Sequence, residues 1–252
     1  KVDQAYPWGA KWTIVPECIE LDTEILHQFH DRSKMMMGIL PTGTVPHEPK
    51  QRLSSVFWSL PSHQLNSFLH NSQAHSDWLN QVSKHWKPAA DWLEQVIAQP
   101  EQKSQWLTAN YRDVVLSKFG EGRIGVMGDA AHAMSPQLGQ GANMALLDAW
   151  ALGQAVQSAR KNEALDYVQL WQTYHQHRQS STAFYQFLSR LLTPLYQSDL
   201  WWAGGLRDLS FAWMYRIPYF RKEMAVTISG LKLGMFSQMN YRDIAKQNNH
   251  SV

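Results

Sequence analysis

Across 252 residues the chain carries 23 Lys and Arg against 21 Asp and Glu, a formal net charge of +2, with 44% apolar residues and one cysteine. That length buries a sizeable core in one domain or two packed ones, and the near-neutral charge without a long basic run argues against a nucleic-acid partner. Lone Cys18 excludes a disulfide framework and favours a reducing, cytoplasmic compartment; no apolar run approaches the roughly 20 residues of a membrane span, and nothing at the start resembles a signal peptide.

From residue 1 to about 62, Trp8 to Val15, Lys34 to Leu40 and Ser54 to Leu60 are short and apolar, the first and third rich in aromatics. Punctuated by Pro41-Thr42-Gly43 and Pro61, they predict strands of a mixed or antiparallel sheet. Period-two alternation puts Phe57 and Ser59 on one face and Trp58 and Leu60 on the other. One such face suits a pocket lining, which makes Trp8, Trp12 and Phe57 candidate substrate contacts, although plain core packing explains large aromatics as well. Met35-Met36-Met37 reads as adaptable packing.

Residues 64 to about 106 read as helical, with Leu65, Phe68 and Leu69, then Trp92, Leu93, Val96 and Ile97, at three- and four-residue spacing. Strand character returns from Gln105 to Val126, with a turn at Gly120-Glu121-Gly122. The run Ile124-Gly125-Val126-Met127 is too short for a helix and predicts a buried strand. It delivers Gly128-Asp129-Ala130-Ala131-His132-Ala133-Met134-Ser135-Pro136-Gln137-Leu138-Gly139-Gln140-Gly141-Ala142-Asn143. Asp129, the first charge after the strand, accepts hydrogen bonds only and suits a ligand's hydroxyl groups. Gly139 and Gly141 let backbone approach a flat ligand, and the helix opening at Ala142 offers unpaired N–H groups and the positive end of its dipole. Asp148 is the only charge from Ala142 to Ala155.

Competing chemistries lack their residues. His27-x-x-His30 and His175-x-His177 have no neighbouring Cys or acidic cluster to complete a tetrahedral set, so no metal site is expected. No Gly-x-Ser-x-Gly elbow occurs, and Gly139-Gln140-Gly141 is not followed by Lys-Ser or Lys-Thr. His132 reads equally as a hydrogen-bonded structural residue or as polarity beside a cofactor.

The ordered series Gly128, Asp129, Ala130, Ala131, His132, Pro136, Gly139, Gly141, Asn143, Asp148 and Ala149 resembles the second FAD motif of monooxygenases related to para-hydroxybenzoate hydroxylase. Tyr6-Pro7-Trp8-Gly9-Ala10, Phe57-Trp58-Ser59-Leu60-Pro61, Tyr111-Arg112-Asp113-Val114-Val115 and Tyr174-x-x-x-Arg178 are similar to further segments of that family. The resemblance implies FAD as cofactor, NAD(P)H as reductant, and insertion of one oxygen atom from O₂ into a small aromatic or lipophilic substrate. It implies that Gly128 and Asp129 hold the ribitol chain and that Pro136, Gly139, Gln140, Gly141, Ala142 and Asn143 line the isoalloxazine. It names no catalytic acid or base. The family's N-terminal Gly-x-Gly-x-x-Gly unit and its Asp-Gly motif do not occur in this sequence, so the chain reads as the C-terminal part of a longer flavoprotein, with the N-terminal part as its natural complement. A halogenase or other flavin oxidoreductase of the same fold, or a fragment unable to hold FAD alone, are the alternatives.

From Ala142 onward the pattern is helical, broken at Pro194, Gly204-Gly205 and Pro218. In the last fifty residues aromatics alternate with Arg207, Arg216, Arg221, Lys222 and Lys232. That fits a helical cap, and it also fits peripheral contact with an anionic membrane. The expected architecture is α/β: a substrate-binding region of sheet and helices over 1–106, the second half of a FAD-binding domain over 107–160, and a C-terminal helical region over 161–252.

Overall fold

A computed structural model describes residues 2–18, 21, 24–70, 72–97, 106–161 and 164–240. The helical expectations for 98–105 and 241–252 lie outside the described residues. In chain order the elements are β1 (Val2–Pro16), β2 (His27–Asp31), β3 (Met35–Val45), β4 (Glu48–Pro61), α1 (Ser72–His85), α2 (Lys87–Ile97), β5 (Leu107–Val115), β6 (Gly120–Glu121) and β7 (Ile124–Gly125). There follow α3 (Asp129–His132), α4 (Gly141–Ala159), β8 (Arg160–Lys161), β9 (Ala164–Leu165), α5 (Tyr167–Tyr196), α6 (Ala203–Arg216) and α7 (Pro218–Ile228). The α/β class read from the sequence is the class observed.

The chain divides into two compact units, one of Tyr6–Asn110 with Leu195–Gly205, the other of the residues up to Ala5, Tyr111–Pro194 and Leu206 onward. The first is built on a five-stranded sheet of order β2-β3-β4-β1-β5. β4 pairs antiparallel with both β1 and β3, placing Phe57 opposite Trp12 on one side and Gly38 on the other. A Cβ at Gly38 would sit 2.0 Å from the Phe57 ring, so the ring lies flat over a position only glycine leaves open. Trp58 points to the opposite face and joins Val15, Met37, Ile39 and Val56 in a core completed by Trp78 and Val82 of α1 and Leu93 and Ile97 of α2. Trp78 meets the Trp58, Phe68 and Trp106 rings edge-on at 5.9, 5.9 and 5.6 Å, the geometry favoured by ring quadrupoles.

Several local expectations change. The Pro41-Thr42-Gly43 break is a bulge inside β3, with Gly43 at φ 80 while the strand continues to Val45. Leu65 lies in a short 3-10 segment, Ser62–Ser67, with Phe68 and Leu69 in the turn after it. Gly204-Gly205 falls inside the first turn of α6, where a Cβ at Gly204 would meet the Arg32 backbone at 2.7 Å. Close packing selects glycine there, not a helix stop.

The second unit is helical. α4 and α5 pack through Ala151, Ala155, Ala159, Leu170 and Tyr174, with Ala131 and Phe119 beside them. Small residues on α4 allow that close approach. The run Ile124–Met127 corrects its prediction: only Ile124–Gly125 is strand, paired with Gly120–Glu121 across a turn at Gly122, φ 56. Ile124 is 78% exposed because the hairpin has no second neighbour to cover it. Among the described residues no helix is long and apolar enough to cross a membrane.

Candidate functional site

The segment after β7 turns at Gly128, whose φ of 59 is a conformation L side chains rarely adopt. That turn starts α3: the Gly128 carbonyl accepts from the Ala131 and His132 N–H groups at 2.9 and 3.0 Å. Asp129 opens the helix, exposed to solvent, and its carboxylate has no hydrogen-bond partner among the described residues. It is the available acceptor of the loop.

What holds this turn lies beneath it. Asp148, on α4, is fully buried, and one carboxylate oxygen accepts from the Gly128 N–H at 2.7 Å and from His132 Nε2 at 2.6 Å. The other oxygen accepts from Arg178 Nε, on α5, at 2.6 Å. Arg178 is itself buried, with Nη2 at 3.4 Å from the Met144 sulfur. Burial disfavours the Asp148 charge, but the hydrogen bonds from His132, Arg178 and Gly128 outweigh it and hold the carboxyl at about 2. Tyr174, one turn before Arg178, is pushed upward by burial and by the Asp148 charge and stays neutral. One carboxylate thus joins the Gly128 turn, α3, α4 and α5.

Downstream, Ser135 is buried in a hydroxyl cluster with Ser189, 2.8 Å away, and Thr193 of α5. This pins the chain just before Pro136, which opens the 3-10 turn Pro136–Leu138. Gly139 ends that turn at φ 62, its N–H on the Pro136 carbonyl at 2.9 Å. α4 then begins at Gly141 with no side-chain cap, so its first N–H groups stay available. Gly139, Gly141 and Ala142 are exposed, and Cβ atoms at either glycine would meet nothing within 4 Å. The loop is an open wall of backbone at a positive helix end.

Gln140 differs from its neighbours. Its side chain turns inward, donating to the Leu138 carbonyl at 3.1 Å and to the Ile228 carbonyl at the end of α7 at 2.7 Å, while accepting from Asn143 Nδ2 at 3.1 Å. It ties the loop to α7, and the residue as a whole is buried, which corrects its expected place on the exposed wall.

The eight loop residues singled out from sequence thus lie along one continuous segment. None of them lines the cavity of about 380 Å³ in this unit, which is bounded by Val115, Phe119, His132, His175, Gln179 and Gln186. In the sheet unit, Trp12 and Phe57 are half-buried cross-strand neighbours. Trp8 is buried and lines a smaller cavity of about 240 Å³ with Met35, Trp58 and Gln64. Among the described residues no group of three His, Cys, Asp or Glu is arranged to hold a metal ion. Sequence reasoning missed the Asp148–His132–Arg178 cluster. Its one signal along the chain was Asp148, a lone acid in an otherwise uncharged helix.

Comparison with known proteins is consistent with this geometry. Residues 62–184 match the family model described as "FAD binding domain". Zeaxanthin epoxidase of an Oncidium hybrid cultivar is 30% identical over 115 residues, 43% of this chain and 17% of that protein. In fold, the chain is similar to P. aeruginosa PqsL in complex with 2-aminobenzoylacetate (TM-score 0.64, 17% identity, 82% of this chain and 53% of that one). It is also similar to Klebsiella pneumoniae HpxO complexed with FAD and uric acid (TM-score 0.60, 17% identity, 92% and 56%). The chain therefore spans about half the length of these structures and about a sixth of the plant relative.

Proposed function

We propose that this chain, whose residues 62–184 match the FAD-binding-domain model, supplies the flavin and ribitol side of a FAD-dependent monooxygenase. The observation that carries the reading is the clamped loop: a free carboxylate at Asp129 on a turn held by buried Asp148, followed by an open glycine backbone and an uncapped helix start held by Ser135 and Gln140. These residues fit FAD. Asp129 accepts from ribitol hydroxyls, and the Gly128 turn brings backbone beside them. Pro136, Gly139, Gly141, Ala142 and Asn143 form the wall against the ring system, and buried Gln140 holds that wall in place. The unpaired N–H groups and dipole of α4 stabilise negative charge placed there.

When bound, FAD supplies electron transfer from NAD(P)H to O₂ and delivery of one oxygen atom to the substrate. The protein's own part is to orient and to stabilise charge, and no side chain of this chain is assigned as acid or base. The substrate class is a small, electron-rich aromatic or lipophilic molecule. That choice is supported by the similar proteins, one an epoxidase and two bound to 2-aminobenzoylacetate or uric acid. Trp12 and Phe57 are the substrate contacts we favour, and Trp8 lines a separate cavity of the sheet unit.

The test is an absorbance spectrum of the purified chain before and after adding FAD and desalting. Retained bands at about 370 and 450 nm, general to the cofactor, that are lost in Asp129→Ala support the reading. No retained flavin under either condition overturns it for this chain.

A further inference from the structure

Helices α6 and α7 expose apolar surface that the flavin reading does not use. On α6, Leu206, Leu209 and Trp213 recur at three- and four-residue spacing, with Leu209 72% and Trp213 58% exposed. α7 contributes no buried residue at all, and its Tyr219 is 61% exposed. The patch is continuous across the two helices: the Trp213 and Phe220 rings lie 5.8 Å apart, Phe220 and Tyr219 5.5 Å, and Arg221 stands 5.9 Å over the Tyr215 ring. Contiguous apolar surface of this kind marks an interaction site rather than scattered exposure.

Charge selects the partner. Arg216, Arg221 and Lys222 are exposed, and no ion pair involves them among the described residues. The acids of the same segment are engaged, Asp208 by Arg207 at 2.7 Å and Glu223 by Lys232. The face is therefore both aromatic and cationic. A second copy docked about a two-fold axis would set these cations against their own images. An anionic bilayer complements them, and Trp, Tyr, Arg and Lys interleaved on one face are the residues favoured at the headgroup layer.

We propose that α6 and α7 dock the protein onto the surface of an anionic lipid bilayer, lying in the headgroup layer without spanning it. Leu209, Trp213 and Tyr219 enter the interface, and Arg216, Arg221 and Lys222 meet lipid phosphates. Through the Gln140 side chain on the Ile228 carbonyl, this face is joined directly to the glycine loop.

The experiment is co-sedimentation of the full 252-residue chain, without FAD, with vesicles of phosphatidylcholine alone or mixed with phosphatidylserine. Binding is expected to the mixed vesicles, falling as salt rises. Replacing Arg216, Arg221 and Lys222 together by Gln should weaken it on the order of a hundredfold, and Leu209→Ser with Trp213→Ser at least about tenfold. All five side chains are exposed, so folding is retained, as circular dichroism would verify. Absence of binding to mixed vesicles, equal binding to both vesicle types, or binding unchanged in either variant overturns the proposal. So does light scattering that shows a dimer broken by Trp213→Ser in a chain that ignores lipid. Because no flavin is present, failure here leaves the FAD reading untouched.

Discussion

The two units solve the same packing problem with opposite materials. The sheet unit closes its core with large apolar groups, Trp58, Trp78, Leu93 and Ile97, whose rings meet edge-on. The helical unit packs α4 on α5 through alanines and then buries Asp148, His132 and Arg178 among them. An apolar core tolerates many arrangements of similar volume, whereas a fully bonded carboxylate admits one. The polar core lies under the glycine loop, where position to a fraction of an ångström matters, and the aromatic core lies where bulk alone is needed.

Substitutions sharpen that contrast. Trp58→Ala in the sheet unit should lose about 3 to 5 kcal/mol by cavity formation, read by chemical denaturation, with FAD retention changed only as far as stability is. Arg178→Ala should cost a similar amount, about 3 to 5 kcal/mol, because it leaves Asp148 buried and half-satisfied. Unlike the tryptophan variant, it should also loosen the Gly128 turn, so hydrogen exchange at Ala131 and His132 should rise more than the global loss predicts. Equal protection in the two variants would erase the distinction between the cores.

Asp148 adds a pH dependence. Its folded carboxyl sits at about 2 against an ordinary 3.8, so it contributes stability in full only well above 3.8, at about pH 5 and higher. That contribution, about 2 kcal/mol by linkage, disappears as pH falls from 3.8 through 2, because the unfolded chain takes up the proton first. Asp148→Asn should be less stable at neutral pH and show a shallower acid limb; an unchanged acid limb would remove Asp148 from that role. Gln140→Ala should cost about 1 to 2 kcal/mol by leaving the Ile228 carbonyl without its donor, with faster proteolysis of α7 as the local readout. The smallest effect on stability belongs to Asp129→Ala, within about 0.5 kcal/mol of the parent, since its carboxylate has no partner to lose. Its effect appears only in retained FAD.

Legibility from sequence followed the range of the forces involved. Short apolar runs located β1, β3 and β4, helical periodicity located α2, and a run of good helix formers after the glycine loop located α4, because these signals lie within a few residues of one another. The Gly128 to Asn143 series was readable because backbone conformation demands glycine at fixed places: Gly128 and Gly139 adopt positive φ, whereas Gly141, read as a second such position, opens α4 without it. Ile124–Met127 was misread because burial of a short apolar run depends on which strands come to lie beside it.

Gln140 and Asp148 show where local reading stops. Their residue types and positions were plain, as was the family they resemble, since those are properties of the chain in order. That Gln140 turns inward to the Ile228 carbonyl, 88 residues away, and that Asp148 gathers Gly128, His132 and Arg178 onto one carboxylate, were settled by folding alone. A buried polar atom takes whichever partner the packed helices bring within 3 Å, about the length of a hydrogen bond, and no spacing along the chain encodes that choice.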